Sequence, residues 1–83
     1  MKGDVVVTGG ASGIGLATAA EFAHEGARVT VADVDEQAGE AAIARMDEGR
    51  TLFVPADVAL AADCQRVVDV TMAAYGGVDV LFK

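Results

Sequence analysis

Four glycines, Gly9, Gly10, Gly13 and Gly15, fall within seven residues and follow a short apolar run that ends in Thr8. Asp33 and Asp57 each stand after a later apolar run. Glycine lets backbone approach a ligand closely. A helix that starts inside such a turn offers free N–H groups and the positive end of its dipole to an anion. The chemistry these residues allow is binding: a pyrophosphate at the turn, with carboxylates nearby to accept hydroxyl or amino protons.

The elements that must position them follow from the pattern. Asp4 to Thr8 is apolar without alternation, as a strand buried on both faces should be. A helix is predicted from Gly13 or Ile14 to His24 or Glu25, with Ile14, Ala17 and Phe22 on its apolar side and Gly26 as its cap. Arg28 to Ala32 is a second strand closed by Asp33. Asp33 lies 18 positions after Gly15, near the separation of about 20 for an acid that holds a ribose. Its alternative is a helix cap, but Asp35 is the better cap for a helix from Glu36 to Asp47. Ala38, Ala41, Ala42 and Met46 would face inward, Gly39 reads as a weak spot, and Gly49 is the expected cap. A third strand spans Thr51 to Pro55 or Ala56. A third helix spans Leu60 to Tyr75, with Cys64, Val68, Thr71 and Tyr75 as a buried stripe widened by Val67 and Met72. A fourth strand is expected from Val78.

Composition narrows the function classes. Eighty-three residues allow one domain. The formal charge of −7 and the scattered basic residues argue against a nucleic-acid surface or an anionic membrane partner. A single cysteine, Cys64, allows neither an internal disulfide nor a cysteine-rich zinc site. The first strand begins at Gly3 or Asp4 with no apolar run of membrane length, so a soluble, cytoplasmic protein is expected. His24, in the last turn of the first helix, reads as solvent-facing.

The dinucleotide fingerprint G-x-G-x-x-G fits no register here. Thr8-Gly9-Gly10-Ala11-Ser12-Gly13-Ile14-Gly15 fits T-G-x-x-x-G-x-G and resembles the short-chain dehydrogenase/reductase family. That resemblance implies a doubly wound Rossmann fold, here βαβαβαβ with parallel order 3-2-1-4, and hydride transfer between NAD or NADP and an alcohol or carbonyl. The implied cofactor-binding set is Gly9, Ala11, Ser12, Gly13, Ile14, Gly15, Asp33, Val34, Asp57 and Val58. In it Asp57-Val58 matches the family's Asp-Val pair, whose carboxylate reaches the adenine amino group; the alternative for Asp57 is a helix-initiating residue. Asp33 and Asp35 repel a 2′-phosphate, and Ser12 stands where NADP users often carry a basic residue, so the expected cofactor is NAD.

The resemblance covers nearly the whole chain but only about the first third of a family member. Tyr75 is followed by Gly76-Gly77-Val78-Asp79 and does not match the family's Tyr-x-x-x-Lys. The catalytic Ser has no counterpart either, so no catalytic residue is assigned. Residues 1–83 read as a partial NAD(P)-binding domain, the N-terminal portion of an oxidoreductase. The other readings are a stand-alone nucleotide-binding module and a truncated remnant without function. A sheet face covered by one helix predicts marginal stability or self-association through that face.

Overall fold

The computed structural model describes residues 3–46 and 50–82. Its elements alternate in the order β1 (Asp4–Thr8), α1 (Gly13–His24), β2 (Arg28–Asp33), α2 (Glu36–Ala44), β3 (Thr51–Pro55), α3 (Ala61–Tyr75) and β4 (Val80–Phe82). The strands form a parallel sheet ordered β3-β2-β1-β4, the result expected of right-handed crossovers. Val5 pairs with Val29 and Val80, and Val29 pairs with Thr51.

Because side chains alternate along a strand, this register sorts the core into two layers. Val5, Val7, Val29 and Val31 meet Ala19 and Ala23 of α1, with Phe22, Ile43, Met46 and Phe53 packed around them. Val6, Ala32 and Val54 face the other way and meet Val67 of α3, with Leu52, Val70 and Val78 beside them. Helices α1 and α2 therefore share one face, and α3 lies on the other. All four valines of the first layer are fully buried, each contributing about 1.5–3 kcal/mol of transfer free energy.

The helix faces differ from expectation. In α1, Ala19 and Ala23 are buried, while Ile14 is 80% exposed and Ala17 is also exposed. Nearly every position of α1 is apolar or small, so periodicity does not choose a face; close approach to the sheet does, and it selects the alanines. In α2, Ala42 is buried as expected, but Ala41 is exposed. The helix ends at Ala44 and not at Asp47; Arg45 and Met46 lie in the turn that follows. Asp47 and the expected cap Gly49 fall outside the described residues.

Gly39 is not a weak spot. It is buried, and a Cβ there would overlap the ring of Phe53. Glycine is what lets α2 lie against β3.

In α3 the buried line is Val67 and Thr71, with Val68 and Tyr75 half-buried. Cys64 and Met72, expected inside, are exposed. A polar contact sets this phase. The Thr71 and Thr30 hydroxyls lie 2.8 Å apart, and Thr71 Oγ1 is 2.8 Å from the Val67 carbonyl. The carbonyl can only accept, so Thr71 donates to it and Thr30 donates to Thr71.

Strand β4 starts at Val80, two residues later than expected. Asp79 turns back on β1 instead: its amide donates to the Asp4 carbonyl at 2.8 Å, and its Oδ2 accepts from the Asp4 amide at 2.9 Å.

Candidate functional site

The glycine turn joins β1 to α1 at the carboxyl end of the sheet. The amides of Gly9 and Gly10 donate to the Ala32 carbonyl, at 2.7 and 3.4 Å, which pins the turn to the end of β2. Gly15 is required by close approach: a Cβ there would overlap the Gly9 carbonyl oxygen and crowd the Gly10 Cα, and backbone cannot swing aside as a side chain can. A Cβ at Gly9 or Gly13 would meet nothing within 4 Å, so bare backbone faces open space there. The first turn of α1 carries no acidic residue, and Ser12 makes no side-chain cap bond. The helix start thus presents its positive end without an internal counter-charge.

Asp33 is built into this turn. Its Oδ2 accepts from the Ala11 amide at 3.2 Å, and its Oδ1 accepts from the Asp35 amide at 3.2 Å. Asp35 is the cap of α2, as its spacing suggested, its Oδ1 accepting from the Ala38 amide at 3.0 Å. Ile14 and Val34 are 80% and 67% exposed.

The end of β3 connects to the same place. The Ala56 amide donates to the Asp33 carbonyl at 3.0 Å. Asp57 follows, its Oδ1 accepting from the Ala59 amide at 3.0 Å and its carbonyl from the Leu60 amide at 3.0 Å. This is the helix-initiating geometry weighed above as the alternative, and it engages Oδ1. Two residues not singled out by the sequence hold this turn. Asp63 Oδ2 accepts from the Asp57 amide at 2.8 Å, and Arg66 Nη2 donates to the Pro55 carbonyl at 2.7 Å. The available signal was an acid three residues into a helix that has no side-chain cap of its own.

A family model of the short chain dehydrogenases matches residues 4–83. The chain belongs to the short chain dehydrogenase family. It is 42% identical over 79 residues to 2,5-dichloro-2,5-cyclohexadiene-1,4-diol dehydrogenase of Sphingobium indicum, covering 95% of this chain and 31% of that protein. It is 39% identical over 78 residues to tropinone reductase-like 1 of Erythroxylum coca, covering 94% of this chain and 28% of that protein. Among solved structures, the 3-ketoacyl-(acyl-carrier-protein) reductase of Brucella melitensis, complexed with NADH, superposes with a TM-score of 0.90 at 32% identity, covering 95% of this chain and 32% of that one. The apo glucose dehydrogenase of Caenorhabditis elegans superposes with a TM-score of 0.87 at 32% identity, covering 95% and 35%. The chain thus spans about a third of the length of these relatives.

The opposite end of this short chain dehydrogenase sheet is closed by its own side chains. Buried Asp4 pairs with Arg28, Oδ1 to Nε, at 2.6 Å, and Arg28 Nη2 donates to the Tyr75 carbonyl at 2.8 Å. The guanidinium lies 5.0 Å from the centre of the Tyr75 ring. The Tyr75 hydroxyl sits 3.2 Å from the Val29 carbonyl and 3.3 Å from the Arg50 carbonyl. Burial raises the Tyr75 pKa above 10.0, Asp4 adds to the rise and Arg28 opposes it. Tyr75 is therefore a protonated donor at the amino ends of the strands, across the sheet from the glycine turn.

Among the described residues, no three His, Cys, Asp or Glu side chains are grouped to hold a metal. No described helix is long and apolar enough to cross a membrane. On the α3 side, Val6, Thr8, Val58, Cys64, Val67, Val68 and Leu81 line a concavity of about 180 Å³. The Cys64 thiol points its proton at the Val58 carbonyl, 3.2 Å away.

Proposed function

We propose that residues 1–83 are the N-terminal, ADP-holding part of an NAD-dependent oxidoreductase that interconverts alcohols and carbonyls. The observation that carries this reading is the bond from the Ala11 amide to Asp33 Oδ2. It joins the ribose carboxylate to the phosphate turn, so one rigid unit can present a carboxylate to the ribose hydroxyls and bare amides to the pyrophosphate. Gly9, Ala11, Ser12, Gly13, Ile14 and Gly15 would hold the pyrophosphate, with the exposed Ile14 side chain covered by it. Asp33 and Val34 would hold the adenosine ribose, and Asp57 and Val58 the adenine. The open backbone at Gly9 and Gly13 fits such a group. The NADH complex of the Brucella melitensis reductase, whose fold this chain shares, supports the same choice. Bound NAD would supply the hydride; this chain's residues would anchor and orient its adenosine half.

The preference for NAD over NADP rests on charge. A 2′-phosphate beside Asp33 would place like charges in contact, worth about 1 kcal/mol per charge pair at 4 Å in water and about 4 kcal/mol at a partly shielded surface. Discrimination of at least tenfold follows. Calorimetric titration of the 83-residue chain tests it. Saturable binding of NAD and ADP-ribose, with NADP at least tenfold weaker, is the expected result. Equal affinity for NADP overturns the cofactor choice, and no binding by any of the three overturns the reading as a whole.

A further inference from the structure

We propose that Asp63, backed by Arg66, is a positioning residue that sets the adenine-recognition turn and so governs discrimination between adenine and other purines. The inference rests on the adenine role given above to Asp57 and Val58. In the usual capping box, an acid at the third helical position bonds back to the amide of the cap residue. Asp63 holds that third position in α3, after the cap Leu60. Its Oδ2 passes over Leu60 and takes the Asp57 amide instead, at 2.8 Å. The same helix turn reaches the other side of the loop through Arg66, whose Nη2 donates to the Pro55 carbonyl at 2.7 Å and lies 3.6 Å from Asp63 Oδ1. The Asp63 side chain is about three-quarters buried.

Asp57 is consequently fixed at three atoms. Its amide is held by Asp63, its carbonyl by the Leu60 amide and its Oδ1 by the Ala59 amide. Only the first bond comes from a side chain that can be removed without touching the backbone. Asp57 and Val58 are both exposed, and with Oδ1 engaged by the Ala59 amide, Oδ2 is the oxygen assigned to the purine. A carboxylate oxygen accepts from the 6-amino group of adenine and repels the 6-oxo group of hypoxanthine. The Ala56 amide bond to the Asp33 carbonyl passes the same placement on to the ribose residue. Asp63 never meets the nucleotide in this arrangement; it acts through Asp57.

The test compares ADP with IDP, which differ at that 6-position, on the 83-residue chain, with amide hydrogen exchange at Asp57 read in parallel. Unaltered chain should prefer ADP by tenfold or more. Asp63→Ala should bring the ADP/IDP ratio to within threefold and speed Asp57 exchange at least tenfold. Asp63→Asn, whose side-chain oxygen still accepts, should restore most of both. Retention of the full ratio in Asp63→Ala, with Asp57 exchange accelerated, overturns the inference while leaving the nucleotide site standing. An unaltered chain that binds ADP and IDP equally overturns the adenine role and the inference together; one that binds neither overturns both along with the proposed function. Should Asp63→Ala not fold, Asp63→Glu keeps the charge at the helix start but displaces the acceptor by one methylene. An unchanged ratio there overturns the inference, and a reduced one supports it.

Discussion

Replacing Gly39 by alanine sets two physical effects against each other. Helix propensity favours alanine by about 1 kcal/mol at an interior position. The contact opposes it, because the added methyl would occupy the place of three Phe53 ring atoms. Forcing a methyl into a filled contact costs about 1–3 kcal/mol, so the net is a loss of about 1 kcal/mol. For a domain of this size that loss lowers Tm by roughly 4–8 °C. Urea and thermal unfolding followed by circular dichroism would measure it. The same pair of measurements in a Phe53→Leu background should recover part of the loss, with a coupling of about 0.5 kcal/mol or more. A higher urea midpoint for Gly39→Ala, or an equal penalty with and without the Phe53 ring, would show that α2 is not seated on β3 through this glycine. The consequence reaches the site, since α2 begins at Asp35, whose amide bonds Asp33.

Four further outcomes can be measured. Gly15→Ala should abolish saturable nucleotide binding while the far-ultraviolet spectrum is kept, because the new methyl strikes only backbone of the glycine turn; binding within twofold of the unaltered chain would contradict the assignment. Asp33→Ala should bring NADP affinity to within a few-fold of NAD; an unchanged preference would remove Asp33 from cofactor selection. Tyr75→Phe should cost about 1 kcal/mol for the lost hydroxyl contacts. Since the folded state raises the Tyr75 pKa above 10.0, its stabilisation is complete below the ordinary tyrosine value and is lost as pH rises through the folded one; alkaline unfolding curves should show that loss in the unaltered chain and lack it in Tyr75→Phe. Sedimentation velocity over a concentration series should show reversible self-association that Leu81→Lys weakens, Leu81 being half-exposed beside the apolar concavity on the α3 side; a single monomeric species throughout would contradict it.

Strand and turn positions were legible because they rest on residues with narrow conformational roles. The Thr8-to-Gly15 turn, the Asp35 cap and the Gly26 stop each follow from one residue's local chemistry, and they place the sheet order with them. Helix faces were less legible. An alanine-rich α1 has no polar side to mark solvent, so its phase is decided by what the sheet admits. In α3 the phase is decided by Thr71 meeting Thr30, 41 residues earlier in the chain. Such a contact exists only once the sheet is assembled. The Asp4–Arg28 pair is of the same kind, arising because parallel register sets those residues side by side. Asp63 was legible only as an acid at the third helical position; that it reaches past the cap residue to the Asp57 amide depends on how the loop folds.

The buried pair of threonine hydroxyls between β2 and α3 has a mechanical meaning. An apolar interface tolerates sliding, since one methyl contact resembles the next. A hydrogen bond between two short side chains works at one position only, so it acts as a peg that stops α3 from shifting along the sheet. Asp63 lies eight residues before Thr71 on the same helix, which at 1.5 Å per residue places it about 12 Å nearer the carboxyl ends of the strands. The helix is then a gauge of fixed length between a peg in the core and an acid at the Asp57 turn. Moving the peg to a neighbouring turn would carry that acid past its amide by about 5 Å, without any change to the residues of the site itself.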